Sequence, residues 1–237
     1  MPMQTIIILL TALLPIAVLG FYIYRKDKKS PEPIGQLLKA LLFGVLSIPL
    51  ALCMARALGL LGAYPAEVTD VVGAIKTAFF AAAIPEEVAK FVLLWLLLRK
   101  NRYFDDKMDG IVYAVCVSLG FAAVENILYL FSNAEDFVVV GVSRAIFAVP
   151  GHFCDGILMG YYYSLARFYP KMQSKNRALI LIAPILAHGA YDALLFVSNQ
   201  APAIGGLLTI AFLVLCVKLW KYCAKRIKEH LQRDNIY

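Results

Sequence analysis

Charge is scarce in this chain. Only 16% of its 237 residues are Asp, Glu, Lys or Arg, whereas an ordinary soluble domain carries about 25%. That is too little to cover a globule of this size, and a water-soluble fold is excluded. Cysteine is also sparse and unpatterned: the five residues Cys53, Cys116, Cys154, Cys216 and Cys223 are odd in number, lie in or beside apolar segments and form no CxxC. A disulfide framework and a zinc ribbon are therefore excluded. There is no HExxH, no internal repeat and no low-complexity tract.

What is abundant is apolar sequence. Hydrophobic residues make up 61% of the chain, and the mean hydropathy is +0.73. A bilayer crossing needs about 20 mostly apolar residues. Seven such segments emerge, at 5–24, 36–62, 71–98, 109–131, 137–167, 178–198 and 203–222. The fold class read from them is all-α, a polytopic membrane bundle of about seven helices. It forms a single domain over 1–237, with a first anchor helix at 5–24, a catalytic core at 36–200, a last helix at 203–222 and a basic tail at 223–237.

The net charge of +7 is a topology signal rather than a sign of nucleic acid. Basic residues gather at Arg25, Lys26, Lys28 and Lys29, at Arg99, Lys100, Arg102 and Lys107, at Arg167, Lys171, Lys175 and Arg177, and in the tail from Lys221 to Arg233. The alternate loops hold Glu67 and Asp70, then Glu135 and Asp136, then the uncharged stretch Ser198–Gly206. By the positive-inside rule the four basic regions are cytoplasmic. The N-terminus is then outside and the C-terminus inside, as an odd number of crossings requires. The first segment lacks a basic n-region and is followed by Arg25-Lys26-Asp27-Lys28-Lys29, so it reads as a retained anchor rather than a cleaved signal. The tail from Lys218 to His230 reads as a basic helix at the inner surface or a solvated helix end.

Against this background nine strongly polar residues lie within the apolar segments: Glu86, Glu87, Lys90, Glu125, Asn126, His152, Asp155, His188 and Asp192. Each ionised group costs about 2.5–3.5 kcal/mol at the centre of a span, so a polar site within the membrane is expected. Glu86 and Lys90 share a helix face at spacing four, with Glu87 one step round. Two adjacent carboxyls in a low dielectric do not both ionise easily, which supplies a proton donor and an acceptor of the kind amide hydrolysis needs. Glu125 reads as a partner for Lys90 or His152. Asn126 reads as a donor to an oxyanion or as an interhelical tie. His152 and Asp155 share a face at spacing three, His188 and Asp192 at spacing four, and each aspartate is expected to orient its histidine. Pro85, Pro150 and Pro184 stand close before these motifs and predict kinked helices around a hydrated chamber.

The ordered set Glu86-Glu87-Val88-Ala89-Lys90, Phe121 to Asn126, His152 to Gly156 and His188 to Asp192 resembles the PrsW family of intramembrane proteases. That family is similar to the wider CAAX-protease and bacteriocin-processing group, which also places a Glu pair and two histidines on separate membrane helices. The resemblance covers roughly residues 30–200. It implies a peptidase of the bacterial cytoplasmic membrane, acting on a single-span substrate such as an anti-sigma factor, whose site-1 cleavage releases an extracytoplasmic-function sigma factor. The catalytic set is then Glu86, Glu87, His152, His188, Glu125, Asn126 and Asp192. The group is read either as metallo-type or as glutamate-type. A zinc ion would draw its ligands from Glu87, Glu125, His152 and His188; metal-free chemistry is the reading preferred here. Three alternatives use the same residues differently. They are a proton-coupled transporter, a cysteine protease pairing Cys154 with His188, and a non-catalytic scaffold.

Overall fold

A computed structural model describes residues 2–28, 30–169, 171 and 173–234. Lys29 of the first basic cluster and the last three residues of the tail lie outside the described residues. Among the described residues there are helices and turns and no strand. The helices are α1 (Pro2–Lys26), α2 (Ile34–Leu60), α3 (Val71–Lys76), α4 (Ile84–Leu98), α5 (Lys107–Ser132), α6 (Phe137–Ser143), α7 (Val149–Phe168), α8 (Gln173–Gln200) and α9 (Gly205–Asp234).

A π-helical segment, Thr77–Ala83, joins α3 to α4, and a second, Arg144–Ala148, joins α6 to α7. With these joints the described chain has seven long helical runs, at the seven places expected. Six are long and apolar enough to cross a membrane on composition alone. The seventh is Val71–Leu98, whose apolar run is interrupted by Lys76, Glu86, Glu87 and Lys90. It is set apart by the charges that make it interesting.

The bundle is built around α5. From Met108 to Ala122 every residue of this helix is buried; the Asp109 carboxylate accepts from the backbone N–H groups of Asp105 and Asp106, and the stretch beyond it is mainly apolar or small on all sides and can be enclosed by neighbours. Helices α1, α2, α7 and α9 pack on it. Close approach of α2 depends on glycine: a Cβ on Gly120 would overlap the backbone carbonyl of Leu41, and one on Gly44 that of Val117. Small residues at such crossings allow backbones to meet where lipid supplies no hydrophobic drive for association. The outer helices keep one narrow stripe inward. In α1 it is Ile8, Ala12, Ile16 and Ile23, while Leu10, Leu14 and Phe21 face outward.

The tail differs from a separate surface helix. It continues α9 without a break to Asp234, with Cys223, Ile227 and His230 buried. Its last turn is anchored, since the Asp234 carboxylate accepts hydrogen bonds from the backbone N–H groups of Lys107 and Met108 at 3.1 and 2.9 Å, and from the Lys107 ammonium at 3.1 Å. One end of the chain thus caps the first turn of its central helix, where N–H groups have no partner within the helix.

The two π segments end just before Pro85 and Pro150. A proline lacks an N–H and collides with the preceding turn, and a widened turn is one way a helix absorbs that fault; such bulges are frequent at functional sites. Pro184 lies within an unbroken α8, so two of the three expected disturbances are present and the third is not.

Candidate active site

Four helical runs bring the polar residues together near the middle of their lengths. The π segment carries Phe79 against Gly189 of α8, so closely that a Cβ on that glycine would overlap the ring. This contact sets the face of α4 that bears the two glutamates against His188. Glu87 is fully buried, and one of its oxygens accepts from the Lys90 ammonium at 2.7 Å and meets His188 Nδ1 at 2.9 Å. Lys90 also lies 3.5 Å from Glu86, 3.2 Å from His152 Nδ1 and 4.1 Å from the centre of the Phe121 ring. A buried ammonium is tolerable only with such compensation, and here it is surrounded by it.

The histidines stand edge to face, 5.4 Å between ring centres. His152 Nε2 meets Glu125 at 2.8 Å. His188 Nε2 lies 3.3 Å from Asp192 and 3.9 Å from Glu86. Asp192 thus orients its own-helix histidine as the spacing predicts. Asp155 does not: it lies 3.8 Å from His188 Nδ1, across the helix interface, and His152 is held by Glu125 and Lys90 instead. A shared face on α7 did not make a pair, because the ring of His152 turns toward α5 and α4.

The set opens into a cavity of about 560 Å³. Glu86, Glu125, His152, Asp155, His188 and Asp192 line it. Glu87 and Asn126 do not. Asn126 is fully buried; its amide donates to the carbonyl of Ala12 on α1 at 2.8 Å and its oxygen accepts from Arg144 at 2.5 Å. Of the two readings of Asn126 the geometry gives the interhelical tie, here joining α1, α5 and the second π segment. Cys154 is buried beneath Cys223, away from the cavity wall, which removes the pairing with His188 that a cysteine protease requires.

Arg144 was missed by the sequence reading. It opens the second π segment, lines the cavity, and donates to Glu125 at 2.6 Å while lying 4.0 Å over the Tyr129 ring. The signal was available: an arginine in the outer half of an apolar span is itself a functional hypothesis.

Donor atoms of Glu86, Glu87, His152 and His188 lie within 4.8 Å of one another. Glu125, expected among metal ligands, falls outside this group because His152 and Arg144 engage it, and Glu86 takes its place. The set fits a divalent ion such as zinc in kind, being nitrogen and carboxylate oxygen. Oε2 of both Glu86 and Glu87 is buried without a hydrogen-bond partner.

A multi-pass helical bundle with paired glutamates, paired histidines and a cavity between them defines a membrane-embedded hydrolase. The family model described as PrsW family intramembrane metalloprotease matches residues 32–219, and the chain belongs to that family. Among its relatives is Protease PrsW of Clostridioides difficile strain 630, 30% identical over 95% of this chain and 92% of the relative. Protease PrsW of Oceanobacillus iheyensis is 33% identical over 94% and 97%, and that of Bacillus subtilis strain 168 is 34% identical over 76% and 78%. No solved structure matches. The protein is thus a multi-pass membrane peptidase.

Proposed function

We propose that this protein cuts a single-span membrane protein within the outer half of the bilayer, and that the substrate is an anti-sigma factor undergoing its first cleavage. The observation that carries the chemistry is the division of labour in the glutamate pair. Glu86 faces the cavity, whereas Glu87 is sealed between Lys90 and His188. Glu86 is then the group that takes a proton from water and returns one to the leaving amine. Glu87 fixes Lys90 and His188. His152 and His188, on the cavity wall, orient the water and the scissile carbonyl.

A divalent ion, if held by Glu86, Glu87, His152 and His188, would supply Lewis-acid polarisation of that carbonyl and a more acidic water. The depth of the cut rests on the cavity's other walls. Asn133 caps the outer end of α5, Val139 and Val140 lie on the short α6 that follows the outer loop, and Leu195 and Phe196 lie toward the outer end of α8. The anti-sigma reading extends the family resemblance and agrees with an outer-half cut.

The test is a proteoliposome assay with a tagged, single-span anti-sigma factor, comparing wild type with Glu86→Gln. Cleavage by wild type alone supports the reading. Cleavage of unrelated single-span proteins but never of an anti-sigma factor would keep the peptidase and discard the substrate.

A further inference from the structure

A second cavity of about 210 Å³ adjoins the catalytic one, and Ser143, Tyr191 and Leu195 belong to the walls of both. Its remaining walls come from the second π segment, the outer end of α8 and the outer half of α9, with Phe147, Leu194, Leu208 and Phe212 the main apolar surfaces. The rings of Phe147 and Tyr191 hold Phe212 from two sides, at 5.4 and 4.8 Å between centres, so this wall is packed in place. The hydroxyl of Thr209, on the same wall, is bonded to the Gly205 carbonyl at 2.9 Å within its own helix, and makes no polar demand on an occupant. Among the described residues no charged side chain lines the space.

We infer that this cavity is a specificity subsite that accepts a bulky apolar side chain of the substrate, about three residues to the outer side of the bond that is cut. The inference rests on the proteolytic reading above. Size supports the occupant, since an apolar cavity of about 150 Å³ admits benzene and this one exceeds it. Position follows from helix geometry. Leu194 and Leu195 lie six and seven residues beyond His188 on α8, which is about 10 Å at 1.5 Å per residue. An extended strand advances about 3.3 Å per residue, so about three residues separate a bond held at His188 from a side chain in the subsite. The shared walls give a continuous path from one cavity to the other.

The experiment measures kcat/KM in proteoliposomes for a single-span substrate scanned with Leu and Ala at each of the six positions on the outer side of the cut. Wild type is compared with Thr209→Phe, which fills the cavity, and with Ile210→Phe, which puts the same ring on a lipid-facing neighbour that does not line it. Wild type is expected to favour Leu over Ala by about 10-fold or more at one position near the third. Thr209→Phe should bring that ratio toward one, and Ile210→Phe should keep it. A Leu-to-Ala ratio near one at every position in wild type, or a ratio that Thr209→Phe leaves intact, overturns the subsite while the peptidase stands. No cleavage by wild type of any substrate overturns the proteolytic reading and the subsite with it.

Discussion

Arg144 and His152 meet on the same oxygen of Glu125, at 2.6 and 2.8 Å. The arginine belongs to the π segment at the cavity's outer wall and the histidine to α7 at mid-depth, so one carboxylate couples the mouth of the site to its floor. Partners that orient a working histidine are typically worth 10–100-fold in activity when removed. Arg144→Gln is expected to lower kcat by that factor and to shift KM little, because it lets Glu125 turn away from His152. Arg144→Lys, which cannot bond Glu125 and Asn126 together as the guanidinium does, should recover only part of the loss. Single-turnover kinetics in detergent or liposomes check both.

The two glutamates should separate in a pair of measurements. Glu86→Gln is expected to abolish cleavage with little change in thermal unfolding, since this side chain faces the cavity and stands 3.5 Å from Lys90, against 2.7 Å for Glu87. Glu87→Gln should abolish cleavage and also destabilise the fold. It weakens the compensation of a fully buried ammonium, for which losses of roughly 3–5 kcal/mol are usual. Equal unfolding temperatures for the two variants would contradict this division.

The tail is expected to matter for stability rather than chemistry. Asp234→Ala removes the acceptor of two backbone N–H groups at the start of α5, and caps of this kind contribute about 1 kcal/mol. A modest fall in unfolding temperature with unchanged kcat is the expected pattern.

At the basic-loop end of the bundle, away from the catalytic cavity, Asp27 and Glu32 are buried in the turn between α1 and α2. Burial is the main cause that pushes their carboxyls up, from ordinary values of 3.8 and 4.5 to about 6 and about 7. The folded state therefore keeps protons that the unfolded chain has released. Stability is greatest below the ordinary values and declines as pH rises from about 4 through 7. Thermal unfolding in detergent should show this slope, and the double variant Asp27→Asn, Glu32→Gln should make it shallower and be the more stable protein at pH 8.

The spans were legible in the sequence because each is a long, mainly apolar run with basic residues close to one end. Even Val71–Leu98, whose charges interrupt it, stood out by its length. The residues of the site were legible for the complementary reason, that a carboxylate or imidazole in such a run needs a purpose. Their partners were not. Spacing along α7 put Asp155 beside His152, yet the rotation of that helix against α8 gives Asp155 to His188, and one helix's periodicity holds no information about its rotation against another. Asn126 likewise sits on the site's own helix but reaches the other way, to α1. The widened turns before Pro85 and Pro150 have no signature beyond the prolines themselves, and Pro184 shows that a proline alone does not decide it.

The most direct test of the account is the mass of the fragments released from a single-span substrate by wild type and by Glu86→Gln in proteoliposomes. The account predicts one cut within the outer half of the substrate's span, made by wild type and absent with Glu86→Gln. A cut on the cytoplasmic side, or undiminished cleavage by Glu86→Gln, would contradict it.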